Sequence, residues 1–98
     1  MAGESLVGKV LDDRWHVESV LGQGALGAAY VALDKKLGVR VVVKVPNPER
    51  LAEPGFRSGF EREMRGRMVE VPGLVRVLQV GEVDGTPYAL LPDRKSVV

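Results

Sequence analysis

The sequence contains no cysteine, which excludes a disulfide framework, a thiolate metal site and a thiol nucleophile, and suits a reducing compartment. Its single histidine, His16, cannot build a zinc site unaided. An excess of either charge is also missing: 14 basic side chains face 13 acidic ones, and no basic block or stripe stands out. An electrostatic footprint for nucleic acid or an anionic membrane is therefore lacking, and neither partner is expected. Apolar runs fall far short of the ~18 residues of a membrane span. The opening "MAGESLVGKV" lacks the basic start and long apolar core of a signal peptide, so a cytoplasmic location is expected. Internal repeats, low-complexity tracts and linkers are absent as well.

What is present suits one folded domain. With 45% hydrophobic and 28% charged residues in a chain of 98, residues 1–98 read as a single small domain of modest stability. An ordered core is expected at about 8–93, with frayed ends at 1–8 and 93–98.

Residues 14–21 alternate apolar and polar well enough to predict a half-buried strand. Residues 28–33, "AAYVAL", are ambiguous, because alanine and leucine favour helix whereas tyrosine and valine favour strand. Val39–Val45, rich in β-branched valine, predicts a strand that Pro46 and Pro48 stop. Ser58 and Glu61 stand at the spacing of a capping box and predict a helix over about 59–70. Phe60, Met64, Met68 and Val71 would form its apolar face, Arg62 and Arg65 would point to water, and Glu63 would sit on the flank. Leu74–Val83 and Thr86–Leu91 predict two strands joined by a tight turn at Asp84–Gly85.

The motif that carries chemistry is "LGQGALG", which places Gly22, Gly24 and Gly27 at GxGxxG spacing. Two scaffolds compete for it. In a dinucleotide-binding unit, a helix over 25–36 would present its N-terminus to a pyrophosphate. That unit wants an acid at the end of its second strand, where this sequence has Lys44, Val45 and Pro46. In the rival scaffold the glycines join two antiparallel strands, and their bare backbone approaches phosphate.

On the second scaffold the sequence closely resembles the N-terminal lobe of protein kinases, in particular the bacterial Hanks-type serine/threonine kinases. Gly22, Gly24 and Gly27 match the glycine-rich loop, Lys44 in "VVVK" matches the third-strand lysine, and Glu63 in "FEREM" matches the helix glutamate. The "DKKLGVRVVVKV" segment and the "VGEVDGTPYALL" hairpin are also similar, so the likeness covers about residues 8–93. It implies an α+β fold, a five-stranded antiparallel sheet with one packed helix, in a chain without the C-terminal lobe. It further implies that Lys44 contacts the α and β phosphates of ATP bound with Mg²⁺ and that Glu63 orients it.

An ammonium group set in a strand of valines is expected to be buried only where it meets an anion. Glu61 is the rival acid, but a capping role would occupy it, which favours Glu63. Two positions depart from the family pattern. Ala29 stands where valine is usual and Val42 where alanine is usual, so the adenine slot exchanges volume between its sides and weak nucleotide binding is expected. Leu91 would lie at the back of that slot, with Pro92 opening the hinge and offering only a carbonyl.

Nothing in the 98 residues matches the family's catalytic loop or its metal-holding aspartate, so the chain is not expected to transfer phosphate by itself. Without a second lobe, Leu91 and the Phe60, Met64 and Met68 neighbourhood are expected to lie exposed. That exposure would favour a homodimer, a partner protein or a separate C-terminal lobe. Two further readings stay open: a non-catalytic pseudokinase-like interaction module, and a dinucleotide-binding fragment.

Overall fold

A computed structural model describes residues 6–25, 27–69, 72–73 and 75–93. In chain order the elements are β1 (Val10–Leu11), β2 (Trp15–Gln23), β3 (Gly27–Asp34), β4 (Val39–Pro46), α1 (Pro48–Leu51), α2 (Phe56–Gly66), β5 (Gln79–Val83) and β6 (Thr86–Pro92). The described strands form one six-stranded sheet in the order β1-β2-β3-β4-β6-β5. Every neighbouring pair is antiparallel. The sixth strand is the two-residue β1, too short to show a period in the sequence.

Residues 28–33, ambiguous in sequence, are strand. They pair with β2 on one side and β4 on the other, and both pairings supply partners that a lone helix would not need. A helix over 25–36 does not form, so the dinucleotide-binding scaffold is ruled out.

Alternation along the central strands divides the core between two faces. Val41, Val43, Tyr88 and Leu90 join Leu11, Trp15, Val17, Tyr30 and Ala32 on one face. Val42, Ala89 and Leu91 join Met64 and Val77 on the other, with Phe60 and Met68 packed alongside. The unbroken valine run is thus explained: β4 is buried on both faces, so every position along 41–43 is apolar. Leu91 and Met64 are only 5% and 6% exposed. Leu91 and Met64, expected to lie exposed, are therefore covered within the same chain, while Phe60 and Met68 stay half-buried.

The face away from α2 is closed by polar anchors as well as apolar packing. Arg14 forms a two-pronged pair with Asp34, Nε to Oδ1 and Nη2 to Oδ2, each at 2.8 Å. Asp34 is 2% exposed and also accepts the backbone N–H groups of Lys36 at 2.9 Å and Leu37 at 3.3 Å. Arg14 chiefly, and these N–H groups, hold the Asp34 carboxyl down at about 2. The Arg14 guanidinium also stacks 4.3 Å from the Trp15 ring centre. Tyr88 is fully buried and donates its hydroxyl to Asp12. Burial, reinforced by Asp12, pushes the Tyr88 hydroxyl above its ordinary range. Its ring lies on Gly81, where an added Cβ would come within 2.5 Å of it.

Three local expectations are corrected. The helix starts at Phe56, after Gly55 in the left-handed region at φ 81°, and not at 59. Ser58 thereby falls inside the first turn and makes no cap, while Glu61 turns to Arg57 one turn back at 3.9 Å. Arg57 also reaches Glu82 at 2.7 Å and the carbonyl of Gly85, tying α2 to the β5–β6 hairpin. The helix ends at Gly66, where the propensity is poorest. Residues 75–78 are a connection outside any strand, held by Val77 N–H to the Arg67 carbonyl at 2.8 Å and Leu78 N–H to the Leu90 carbonyl at 2.7 Å. The Asp84–Gly85 turn forms as expected, with φ 49° and 81° at its two residues.

Residues 6–8, expected to fray, are pinned instead. Gly8 N–H donates to the Val17 carbonyl and Val17 N–H to the Lys9 carbonyl, both at 2.9 Å, and Leu6 packs on the core. Leu26, Val71, Leu74 and the expected frayed residues 1–5 and 94–98 lie outside the described residues.

Candidate functional site

Lys44 lies on β4 between Ala29 of β3 and Ala89 of β6. Alternation from Val42 turns it to the α2 face, and the two small alanines leave room beside its stem. Across from it α2 presents Glu63. Both line one cavity of about 700 Å³, together with Gly22, Gly27, Ala29, Phe60, Met64 and Arg67. The glycine hairpin forms the roof, β4 the wall and α2 the opposite side.

Lys44 and Glu63 are both exposed to the opening of this cavity. Among the described residues neither takes part in an ion pair. The expectation of a buried ammonium clasped by a carboxylate is therefore not met. The physical reason is the opening itself: water solvates the ammonium, so no buried charge demands a partner. The choice of Glu63 over Glu61 also changes its ground, since Ser58 makes no cap. Glu63 lines the cavity, whereas Glu61 faces Arg57.

The three glycines divide into two kinds. At Gly22 and Gly24 an added Cβ would meet nothing within 4 Å, leaving open space over the backbone. At Gly27 it would lie 2.1 Å from the carbonyl oxygen of Val45. Gly27 therefore lets β3 close onto β4, and the open approach belongs to Gly22 and Gly24. Gly24 lines a second cavity of about 430 Å³ on the other face of the sheet, bordered by Leu6, Lys9 and Asp84.

The remaining sequence-selected residues lie deeper or farther along. Val42 faces Leu91 across the β4–β6 ladder, and both sit in the cluster under the cavity, with Ala29 packed against it. Pro92 ends β6 opposite Val41. None of Val42, Leu91 or Pro92 lines the 700 Å³ cavity.

Two residues escaped sequence reasoning. Asn47 donates its side-chain amide to the carbonyls of Gly24 at 3.1 Å and Ala25 at 2.9 Å. With Gly24 N–H to Gly27 carbonyl at 2.8 Å, this clamps the hairpin tip to the end of β4. An asparagine between Pro46 and Pro48 signalled a turn, but its partners stand more than twenty residues away in the chain. Arg67, just past α2, also reaches the cavity.

Among the described residues no three His, Cys, Asp or Glu side chains gather as a metal site, and no helix is long and apolar enough to cross a membrane.

No family model matches the sequence. The chain is 34% identical over 88 residues to the probable serine/threonine-protein kinase PknB of Corynebacterium glutamicum, covering 84% of this chain and 14% of that protein. It is 37% identical over 83 residues to the serine/threonine-protein kinase pkn2 of Myxococcus xanthus, covering 84% and 10%. With PknA of Mycobacterium tuberculosis the figures are 35% over 77 residues, covering 78% and 18%. The chain thus spans under a fifth of the length of these relatives. Among solved structures it superposes on the PknI kinase domain of Mycobacterium tuberculosis with a TM-score of 0.74 at 26% identity, covering 91% of this chain and 36% of that one. In sequence and in fold, this chain is a relative of the bacterial Hanks-type serine/threonine protein kinases, with the architecture of their N-terminal lobe.

Proposed function

We propose that the chain is the nucleotide-positioning small lobe of a serine/threonine protein kinase and holds ATP in the cavity between the glycine hairpin, β4 and α2. The observation that carries this reading is the convergence of Gly22, Ala29, Lys44 and Glu63 on one open cavity. Open space over Gly22 admits a phosphate close to the hairpin backbone. Lys44 is the cation for the α and β phosphates, and Glu63 is the acid that steers it once the cleft is filled. Ala29 borders the adenine end from within the cavity, with Val42 and Leu91 in the buried cluster beneath it, and the exchanged volumes at 29 and 42 make binding weak.

Magnesium would enter with the phosphates. Phosphoryl transfer needs a base and metal-holding groups that these 98 residues do not match, so a second lobe is the partner that completes the reaction. Equilibrium titration with ATP and Mg²⁺ tests the reading. Saturable binding that Lys44→Ala weakens supports it, and no binding at millimolar nucleotide overturns it.

A further inference from the structure

The cavity holds a third charged side chain, to which the kinase resemblance gives no role. Arg67 follows Glu63 by four positions, which places the two on one side of the α2 end, and its N–H donates to the Glu63 carbonyl at 3.2 Å. Arg67 lines the cavity with Lys44 and Glu63. One Nη donates to the Val75 carbonyl at a long 3.4 Å. Its Nε is buried and, among the described residues, has no acceptor.

A buried guanidinium donor without an acceptor is costly, and that cost disappears when an anionic oxygen arrives. The planar fork of arginine suits phosphate oxygens. Two cations against one carboxylate also leave the cavity attractive to a multiply charged anion.

We propose that Arg67 is a second phosphate contact, so that the polyphosphate of the nucleotide spans Lys44 and Arg67. This rests on the nucleotide reading of the cavity. The test is titration of the full chain with ATP, AMP and inorganic tripolyphosphate in magnesium-free buffer with chelator, using wild type, Arg67→Met, Arg67→Lys and Lys44→Ala. Methionine suits the neighbouring Met64 and Met68 and removes the unmet donor. Arg67→Lys keeps the charge without the fork and serves should the methionine variant not fold.

Arg67→Met is expected to weaken ATP and tripolyphosphate by about tenfold or more while AMP, whose single phosphate reaches one cation, changes by less than about twofold. Arg67→Lys falls between. Unchanged or tighter ATP and tripolyphosphate binding in Arg67→Met overturns the assignment. Should that happen while Lys44→Ala abolishes ATP binding, only the role of Arg67 is lost. Should wild type bind neither ATP nor tripolyphosphate, the nucleotide reading falls and this inference with it.

Discussion

On the face of the sheet away from α2, the buried Asp34 and Tyr88 meet polar partners. Asp34 is gripped by Arg14 and two backbone N–H groups, and Tyr88 bonds Asp12. On the α2 face, Lys44, Glu63 and Arg67 share one cavity, and no ion pair among the described residues includes any of them. The contrast teaches where to look for function. Charges that complete one another hold the fold, and charges left open to a shared space are available to a ligand.

Substitutions on the two faces should accordingly separate stability from binding. The largest effect is expected from Tyr88→Ala, which empties a fully buried ring site and should cost about 3–5 kcal/mol in denaturant unfolding. In a domain this small that loss should leave much of the chain unfolded.

Asp34→Asn should follow. Its folded carboxyl titrates at about 2 against an ordinary 3.8, so its contribution is present in full above pH ~4 and is lost as pH falls from there toward about 2. Thermal melts should show the variant lower by roughly 10 °C at neutral pH, with the gap to wild type closing in that acid window. A gap that persists at the acid end would mean that packing, and not charge, holds the β3–β4 corner.

Lys44→Ala belongs to the other face. It should leave unfolding within about 0.5 kcal/mol of wild type, because the side chain is exposed and forms no ion pair among the described residues, yet weaken ATP by about tenfold or more. A large loss of stability would erase the distinction between the faces. Asn47→Ala should have the smallest effect, costing about 0.5 kcal/mol through its exposed hydrogen bonds to the hairpin tip. Faster amide exchange at Gly24 would report the loosened clamp.

Much of the sheet was legible in the sequence because its physics is local. Valine branching marked β4, and the Asp84–Gly85 pair marked the β5–β6 turn. Residues 28–33 could not be resolved locally, since only pairing with β2 and β4 makes them strand. The Ser58–Glu61 spacing misled because the Pro54–Gly55 break lets the helix begin earlier, so the same two residues fall at different helical positions.

In the site, Lys44 and Glu63 were readable only through the resemblance to the kinase motifs, and both line one cavity. Their expected ion pair was not borne out, because pairing depends on how much water reaches the cleft, which no spacing encodes. Asn47 and Arg67 were hidden for a related reason: their importance lies in what they face across the fold.

The most direct test records backbone amide spectra of the chain while ATP and Mg²⁺ are added. The account predicts saturable shifts concentrated at Gly22, Gly27, Ala29, Lys44 and Glu63, with Leu11, Val17 and Tyr88 unmoved. Silence up to millimolar nucleotide, or shifts centred on Lys9 and Asp84 at the opposite cavity, would contradict it.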